Sequence, residues 1–589
     1  MKRFFSRIAV LALATLVATL IGCGSDSPSY PVSPVSTSPL VSAVKTGSFT
    51  SAELQSALEQ TLPNVTGFSS SLGGEATATP VEFKSIIDSI LNFFKKYMYY
   101  DIDVYKITYD GAGYKGLTGL LVVPKDSKDP ARRFPMLAYQ HPTQVLRKMS
   151  PSNFGIGPGQ ILVDDQLTIP LALVLGRAGY ITVVADYPGL GDNKDVHPYC
   201  TKSLGPVVTA MMKATRQQLG NEGRSTAWNG DLYLTGYSEG GYATAVTAQD
   251  VQKNYSGEYQ LKTVAPLDGP HSLSEVMRGV MLHADEKYSA PYFLPFVIAG
   301  YGAAYGSTIP VLTFEKAIIN PMVTNPDTHK QESFNPNLYT RLDGSFKGSE
   351  INSYIRLVQP YIGPRSILTT DFMTQLNSST SSVFGALRTN DAVYGWTPGA
   401  TTKVTFFHNL FDDLVPYENT TVAVKEWEKQ SNVDHVPFME FIPGLGSVHA
   451  GALVPAVVRG FLLIDKTAYP DRQALVQTAQ TINLTLADSG KTLLVRQNDL
   501  IMVTLDGNPS TGYGWSVADG TGTVLAQVGE PKYTPKSTDP MTTGSGGSYL
   551  FTFKVAQQGN STLKLIYTQA WNTGGTPAQT FNISVVAGN

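Results

Sequence analysis

The chain has 589 residues, of which 42% are hydrophobic, 10% aromatic and 15% charged, and its net charge is −3. That length exceeds one ordinary domain, and the near-neutral balance, with no basic run, excludes an electrostatic case for nucleic acid as a partner. The low charged fraction, with 54 Gly and 37 Pro, fits a loop-rich exported protein.

At the N-terminus Lys2, Arg3 and Arg7 precede an apolar run from Ile8 to Ile21. The run is short for a bilayer span and has the make-up of a secretory signal, residues 1–22. It ends in Leu20-Ile21-Gly22-Cys23, which resembles the lipobox of bacterial lipoproteins. The resemblance implies cleavage before Cys23, a lipid on its thiol and a protein held by acyl chains to a membrane of the bacterial cell envelope, on the periplasmic or cell-surface side. A plain secretory signal with an incidental cysteine is the other reading. Cys200 is the second of only two cysteines. If Cys23 carries lipid, no intramolecular disulfide can form, and Cys200 reads as a buried structural thiol. No later stretch reads as a transmembrane helix. Residues 23–80 form a tether and N-terminal extension, Ser- and Pro-rich from 24 to about 45 and unable to bury a core.

From 81 to 478 short β-rich runs alternate with helical stretches. The runs are 104–109, 116–124, 135–140, 180–187, 231–236, 262–268, 403–409 and 437–443. The first two read as an antiparallel pair turning at Asp110-Gly111-Ala112-Gly113, and the later ones as buried parallel strands. Helices are expected over 166–177, 204–219, 240–253, 418–430 and 450–466. Together these predict a doubly wound α/β sheet of eight strands. Residues 271–400 interrupt the rhythm with apolar helical text, read as a cap over the carboxyl ends of the strands, with extra core helices as the alternative.

Gly236-Tyr237-Ser238-Glu239-Gly240 lies between a predicted strand and a predicted helix. A sharp strand-to-helix turn exposes a serine oxygen, and flanking glycines let backbones pass closely. The N–H of Glu239, at the start of the helix, can face an oxyanion. A hydroxyl nucleophile needs a base, and on such a sheet the acid and then the histidine follow the serine in the chain. His449 follows the last predicted strand in GLGSVHAG, whereas His435 precedes that strand and reads as a surface or strand-entry residue. The acid follows the seventh run, where Asp412 is preferred to Asp413 because Asp412 stands three residues before Val415-Pro416. Asp413 reads as a cap for the helix near Glu418. A second oxyanion N–H must come from the loop Gln140-His141-Pro142-Thr143. Pro142 has none, so Thr143 is the candidate, with His141 shaping the loop.

Through AYQHPT (138–143), ADYPGLG (185–191), HPY (197–199), GYSEGG (236–241), DDLVP (412–416) and His449, residues 83–469 resemble the α/β-hydrolase superfamily, especially its secretory-lipase-like esterases. Pro142 stands where that family usually has Gly. The resemblance implies a serine esterase or lipase that cleaves carboxylic esters, small-molecule or lipid, through an acyl-serine intermediate. It implies no metal or organic cofactor. A serine peptidase of the same fold, or a binding protein whose tail is the working part, are the alternatives.

After residue 481 helical periodicity gives way to short alternating runs, the pattern of an immunoglobulin-like β-sandwich. Asn508-Pro509-Ser510-Thr511-Gly512-Tyr513-Gly514-Trp515, the glycine-rich loop with Gly546 and Gly547, and Trp571 suggest a contact edge built on two tryptophans. In this order the three stretches resemble the chagasin family of cysteine-protease inhibitors. Ser510 departs from the family's first motif, and Gln569-Ala570-Trp571 stands where Arg-Pro-Trp is usual. The resemblance implies a papain-like cysteine protease as partner.

Overall fold

Two residues with positive φ, Ala112 (54°) and Gly113 (86°), close a tight hairpin, the geometry that matches the twist of paired strands. The hairpin joins β2 (Asp101–Gly111) to β3 (Tyr114–Lys125) in antiparallel register. The protein is described by a computed structural model covering residues 38–50, 53, 93–153, 168–283, 288–325, 328–358, 367–427, 430–472, 481–536, 546–569, 571 and 575–588. The signal sequence, Cys23, most of the tether and Ala570 lie outside the described residues.

β1 (Leu40–Phe49) pairs antiparallel with β2, so the end of the expected tether is an edge strand. Its alternation is weak because it is largely solvated. Then come β4 (Phe134–Gln140), β5 (Ile181–Ala185), β6 (Trp228–Tyr237), β7 (Gln260–Leu267), β8 (Lys403–Asn409) and β9 (Val433–Phe438). The sheet therefore has nine strands, not eight, in the order β1-β2-β3-β5-β4-β6-β7-β8-β9, and from β5 to β9 all neighbours are parallel. The last strand begins four residues earlier than expected. His435 consequently lies within β9, opposite Phe406.

Side chains alternate between two cores, as strand geometry requires. On one face Tyr105, Leu121, Met136, Val183 and Leu234 pack with α2 (Leu204–Asn221) and α3 (Glu239–Asn254). On the other, Ile102, Val122, Leu137, Val184 and Tyr233 pack with α1 (Thr168–Arg177) and α5 (Val448–Ala468), α4 being Glu418–Glu426. The helix α5 is long and apolar enough to cross a membrane by length and composition alone, contrary to the sequence reading, but most of it is buried against the sheet. It is a core helix.

Between β7 and β8 the chain forms short helices, among them Phe293–Tyr305, Thr370–Asn377 and Ser382–Asn390, and a small hairpin of Met322–Thr324 with Gln331–Ser333. Leu273, Met277, Phe293, Leu294 and Leu387 from this region roof a cleft above Ser238.

The C-terminal part is two facing sheets. One contains β10 (Thr481–Thr485), β12 (Leu500–Gly507), β14 (Leu525–Gln527), β15 (Lys532–Pro535) and β16 (Gly547–Val555), and the other β11 (Thr492–Arg496), β13 (Tyr513–Asp519), β17 (Gly559–Gln569) and β18 (Gln579–Gly588). Ile501, Val503, Phe551, Phe553, Leu563, Leu565, Phe581 and Ile583 fill the space between them.

Candidate active site

Parallel registry brings the carboxyl ends of β4, β6, β7 and β8 to one edge: Gln140 lies beside Gly236, Tyr237 beside Leu267, and Leu267 beside Phe407. The elements that meet at this edge carry Ser238, Asp412 and the loop of Thr143.

Ser238 is the single residue between β6 and α3, at φ 59° and ψ −122°, a conformation a non-glycine residue holds only when its surroundings enforce it. Its N–H donates to Leu267 O at 2.9 Å, and its carbonyl accepts from Tyr242 N at 3.1 Å. A Cβ on Gly236 or Gly240 would lie 2.4 or 2.0 Å from the Gln140 carbonyl oxygen. Both glycines are thus required by the close approach of β4.

His449 enters from the first turn of α5. Ser447 Oγ caps that helix by accepting Ala450 N at 2.9 Å, and Asp413 Oδ1 accepts the His449 N–H at 3.1 Å. Asp413 therefore caps α5, not the helix near Glu418. The His449 ring is buried, with Nε2 at 2.8 Å from Ser238 Oγ and Nδ1 at 2.5 Å from Asp412 Oδ2. Asp412 Oδ1 accepts two backbone N–H groups, from Leu414 at 2.9 Å and Val415 at 2.7 Å. Burial would raise the Asp412 pKa, but His449, His408 and the Val415 N–H hold it below the usual carboxylate value.

Three supporting residues had no signal in the sequence. The Tyr237 hydroxyl donates to the His449 carbonyl at 2.5 Å. Asp268, after β7, accepts Asn409 N at 2.8 Å through Oδ1, while its Oδ2 has no hydrogen-bond partner among the described residues. Burial and the Asp412 charge push its pKa well above the ordinary carboxylate value. His408 has Nδ1 at 2.8 Å from Thr420 Oγ1 and Nε2 at 2.8 Å from Val415 O, and burial lowers its pKa despite nearby Asp412. It is a neutral strut. Asp268, His408 and Asp412 bring potential ligand atoms within 4.8 Å of one another. The nitrogens of His408 and the oxygens of Asp412 are already committed, so a cation there would compete with the Asp412–His449 bond.

The loop after β4 crosses the N-terminus of α3, where a Cβ on Gly240 would lie 2.8 Å from His141 O. Thr143 is buried in it, its hydroxyl 2.9 Å from the Tyr199 hydroxyl. His141 Nδ1 lies 2.6 Å from Pro142 O, and burial pushes its pKa down to about 4, so the neutral ring braces the loop.

The cleft beside Ser238 encloses about 720 Å³, including its open mouth, and its lining is overwhelmingly apolar: Met277, Met281, Phe293, Leu294, Val297 and Val415 among others. Cys200 also lines it, buried and at φ 49°, and burial pushes its thiol pKa well up. That position was not readable from its sequence neighbours.

In the C-terminal domain the three loops come to one end. Trp571 is 71% exposed and packs over Gly512, where a Cβ would lie 2.1 Å from the indole. Gly546 sits beside Gly507 and Asn508. Asn508 Oδ1 accepts from Ser510 N at 3.2 Å and from Ser510 Oγ at 2.7 Å, so Ser510 serves the turn. Trp515 is not a contact residue. It is 5% exposed, donates from Nε1 to Asp506 O and belongs to the sandwich core. Gly547 is likewise buried within β16.

His141, and also His271, whose pKa burial lowers to about 3, make an acid-sensitive pair. The unfolded chain takes up their protons below about pH 6.5, while the folded chain refuses them until about 4 and 3. Stability from these groups is complete above pH 6.5 and is lost as pH falls, by at most about 1.4 kcal/mol per pH unit for each. Urea midpoints measured from pH 7 to 4 should fall, and His271→Leu should flatten the slope. A slope unchanged in that variant would contradict the assignment.

Comparison with known proteins gives the fold of the larger half and the family of the smaller. A Legionella pneumophila structure described as a hydrolase covers 73% of this chain and 98% of its own, with a TM-score of 0.55 and 23% identity. The rice cell wall degrading esterase LipA from Xanthomonas oryzae covers 74% and 99%, with a TM-score of 0.51 and 19% identity. At such identities the likeness establishes the fold, that of the α/β hydrolases. The model of the chagasin family peptidase inhibitor I42 matches residues 495–585. Amoebiasin-2 of Entamoeba histolytica is 32% identical over 103 residues, 18% of this chain and 82% of that protein. Chagasin of Trypanosoma cruzi is 29% identical over 107 residues, 18% and 96%. Through its C-terminal domain the chain belongs to the chagasin family, fused here to an α/β-hydrolase fold.

Proposed function

We propose that this chain is a cell-envelope lipoprotein that hydrolyses carboxylic esters at Ser238 and carries a tail that engages a papain-like cysteine protease. The observation that carries the enzymatic part is the unbroken line from Ser238 Oγ through His449 to Asp412, at 2.8 and 2.5 Å, on a strained elbow.

His449 Nε2 takes the Ser238 proton as Oγ attacks the ester carbonyl, and Asp412 stabilises the imidazolium and holds its Nδ1–H tautomer. The oxyanion is received by the backbone N–H groups of Glu239 and Thr143. Collapse releases the alcohol, which takes the proton from Nε2, and water repeats the sequence on the acyl-serine to release the acid. The apolar cleft suits the acyl half. The exposed Trp571 and the Asn508–Gly512 turn supply the contact edge of the tail.

The test is hydrolysis of p-nitrophenyl acetate, butyrate and palmitate by the full chain in detergent. Turnover with a preference for one chain length supports the reading, and folded protein inactive on all three overturns it. Inhibition of papain, lost in Trp571→Ala, tests the tail separately.

A further inference from the structure

The side chain of Glu239 is unusual for its place. Only its N–H is required at the start of α3, yet its carboxyl group is buried, and its Oε2 has no hydrogen-bond partner among the described residues. A buried carboxyl group is costly unless something holds it. That partner is His197, whose Nε2 lies 2.8 Å from Glu239 Oε1 and whose Nδ1 lies 3.0 Å from Pro188 O. Nδ1 must donate to the carbonyl, and one proton sits between Nε2 and Oε1.

The segment that carries His197 also grips the other half of the site. The Tyr187 hydroxyl donates to His141 O at 3.0 Å. The Tyr187 ring lies between His141, at 4.2 Å, and His197, at 5.8 Å. The Tyr199 hydroxyl meets Thr143 Oγ1 at 2.9 Å. Behind it, the cap helix Phe293–Tyr305 approaches so closely that a Cβ on Gly300 would lie 2.8 Å from both His197 O and Tyr199 N.

We propose that residues 187–199 form a clamp that sets the spacing of the two oxyanion donors, with the His197–Glu239 pair as positioning residues on one side and Tyr187 and Tyr199 on the other. This rests on the ester-hydrolase reading of Ser238. The pair touches no reacting atom. It fixes the first residue of α3, and so the direction of the Glu239 N–H, against the loop that carries Thr143. Displacing one donor weakens a bond made fully only in the transition state, so kcat suffers and substrate binding does not.

The test is a double-mutant cycle on the full chain with Glu239→Ala, His197→Ala and both together, beside Glu239→Gln. Readouts are kcat and KM for p-nitrophenyl butyrate and the affinity of a trifluoromethyl ketone whose adduct oxygen occupies the oxyanion site. Each alanine variant should lower kcat by about 10- to 100-fold with KM within about twofold. Inhibitor affinity should fall in step with kcat. The double variant should lose no more than the worse single one, because the two side chains act as one unit. Gln can donate its amide hydrogen to Nε2 while Nδ1–H keeps Pro188 O, so Glu239→Gln should recover most of the loss. Where alanine prevents folding, His197→Phe keeps the stack on Tyr187 and removes the hydrogen bonds, and the same loss in kcat is expected. Unchanged kcat, losses that multiply, or a Gln variant no better than Ala would overturn the clamp. A wild-type chain inactive on all esters overturns the ester reading instead. The clamp is then judged by the rate at which a fluorophosphonate labels Ser238, with the same ratios expected.

Discussion

Ser238→Ala is expected to lower ester turnover by about a millionfold, the scale on which removal of a triad serine acts. The reason is local. Among the described residues the Ser238 oxygen is the one hydroxyl hydrogen-bonded to His449 Nε2, at 2.8 Å. The alanine variant should fold, because the bonds that hold the elbow are the backbone contacts to Leu267 and Tyr242. A chromogenic butyrate ester and a circular dichroism melt measure both. Residual activity within tenfold of wild type, in folded protein, would mean that the chemistry occurs elsewhere.

Asp412→Asn should be nearly as severe, with kcat down by about ten-thousandfold, while Asp413→Asn stays within about threefold. The two acids are adjacent in the chain but unlike in environment. Asp412 is buried and accepts from His449 Nδ1 and two backbone N–H groups. An amide there presents a donor to Nδ1 or gives up the Leu414 and Val415 bonds, and the imidazole is left in the wrong tautomer. Asp413 is exposed and accepts the backbone N–H of His449, at 3.1 Å. Equal losses in the two variants would overturn the assignment of the acid.

Much of this was legible from sequence because the signals are local. The elbow needs a strand, a serine and closely spaced glycines within a dozen residues, and the spacing of GYSEGG states that requirement directly. Short β-rich, apolar runs placed β2 to β9 near their observed positions, within about four residues. Asp412 and His449 could be reached because each sits just after a strand whose pattern is readable. The chagasin-like turn is similar: Asn508 accepts from Ser510, and Gly512 donates its N–H to Pro509 O, all within five residues.

Other features depend on partners that periodicity does not reveal. A short apolar–polar alternation such as that of Leu40–Phe49 does not state that the segment pairs with β2, and the Ser and Pro before it suggest a tether. Trp515 and Trp571 look alike beside glycines, yet Trp515 lies within β13 and faces the sandwich core, whereas Trp571 lies beyond the end of β17 and faces solvent. Asp413 caps a helix that starts 30 residues later than the one it precedes. Asp268, Tyr237, Glu239 and His197 acquire roles only when the order of the strands brings their ends to one edge. The sequence by itself determined the local turn chemistry, the faces of the strands and the residue types able to carry the reaction. The tertiary structure decided which buried polar group meets which, because a hydrogen bond between residues 42 or 212 positions apart forms only after the sheet has been assembled and water has been excluded from its edge.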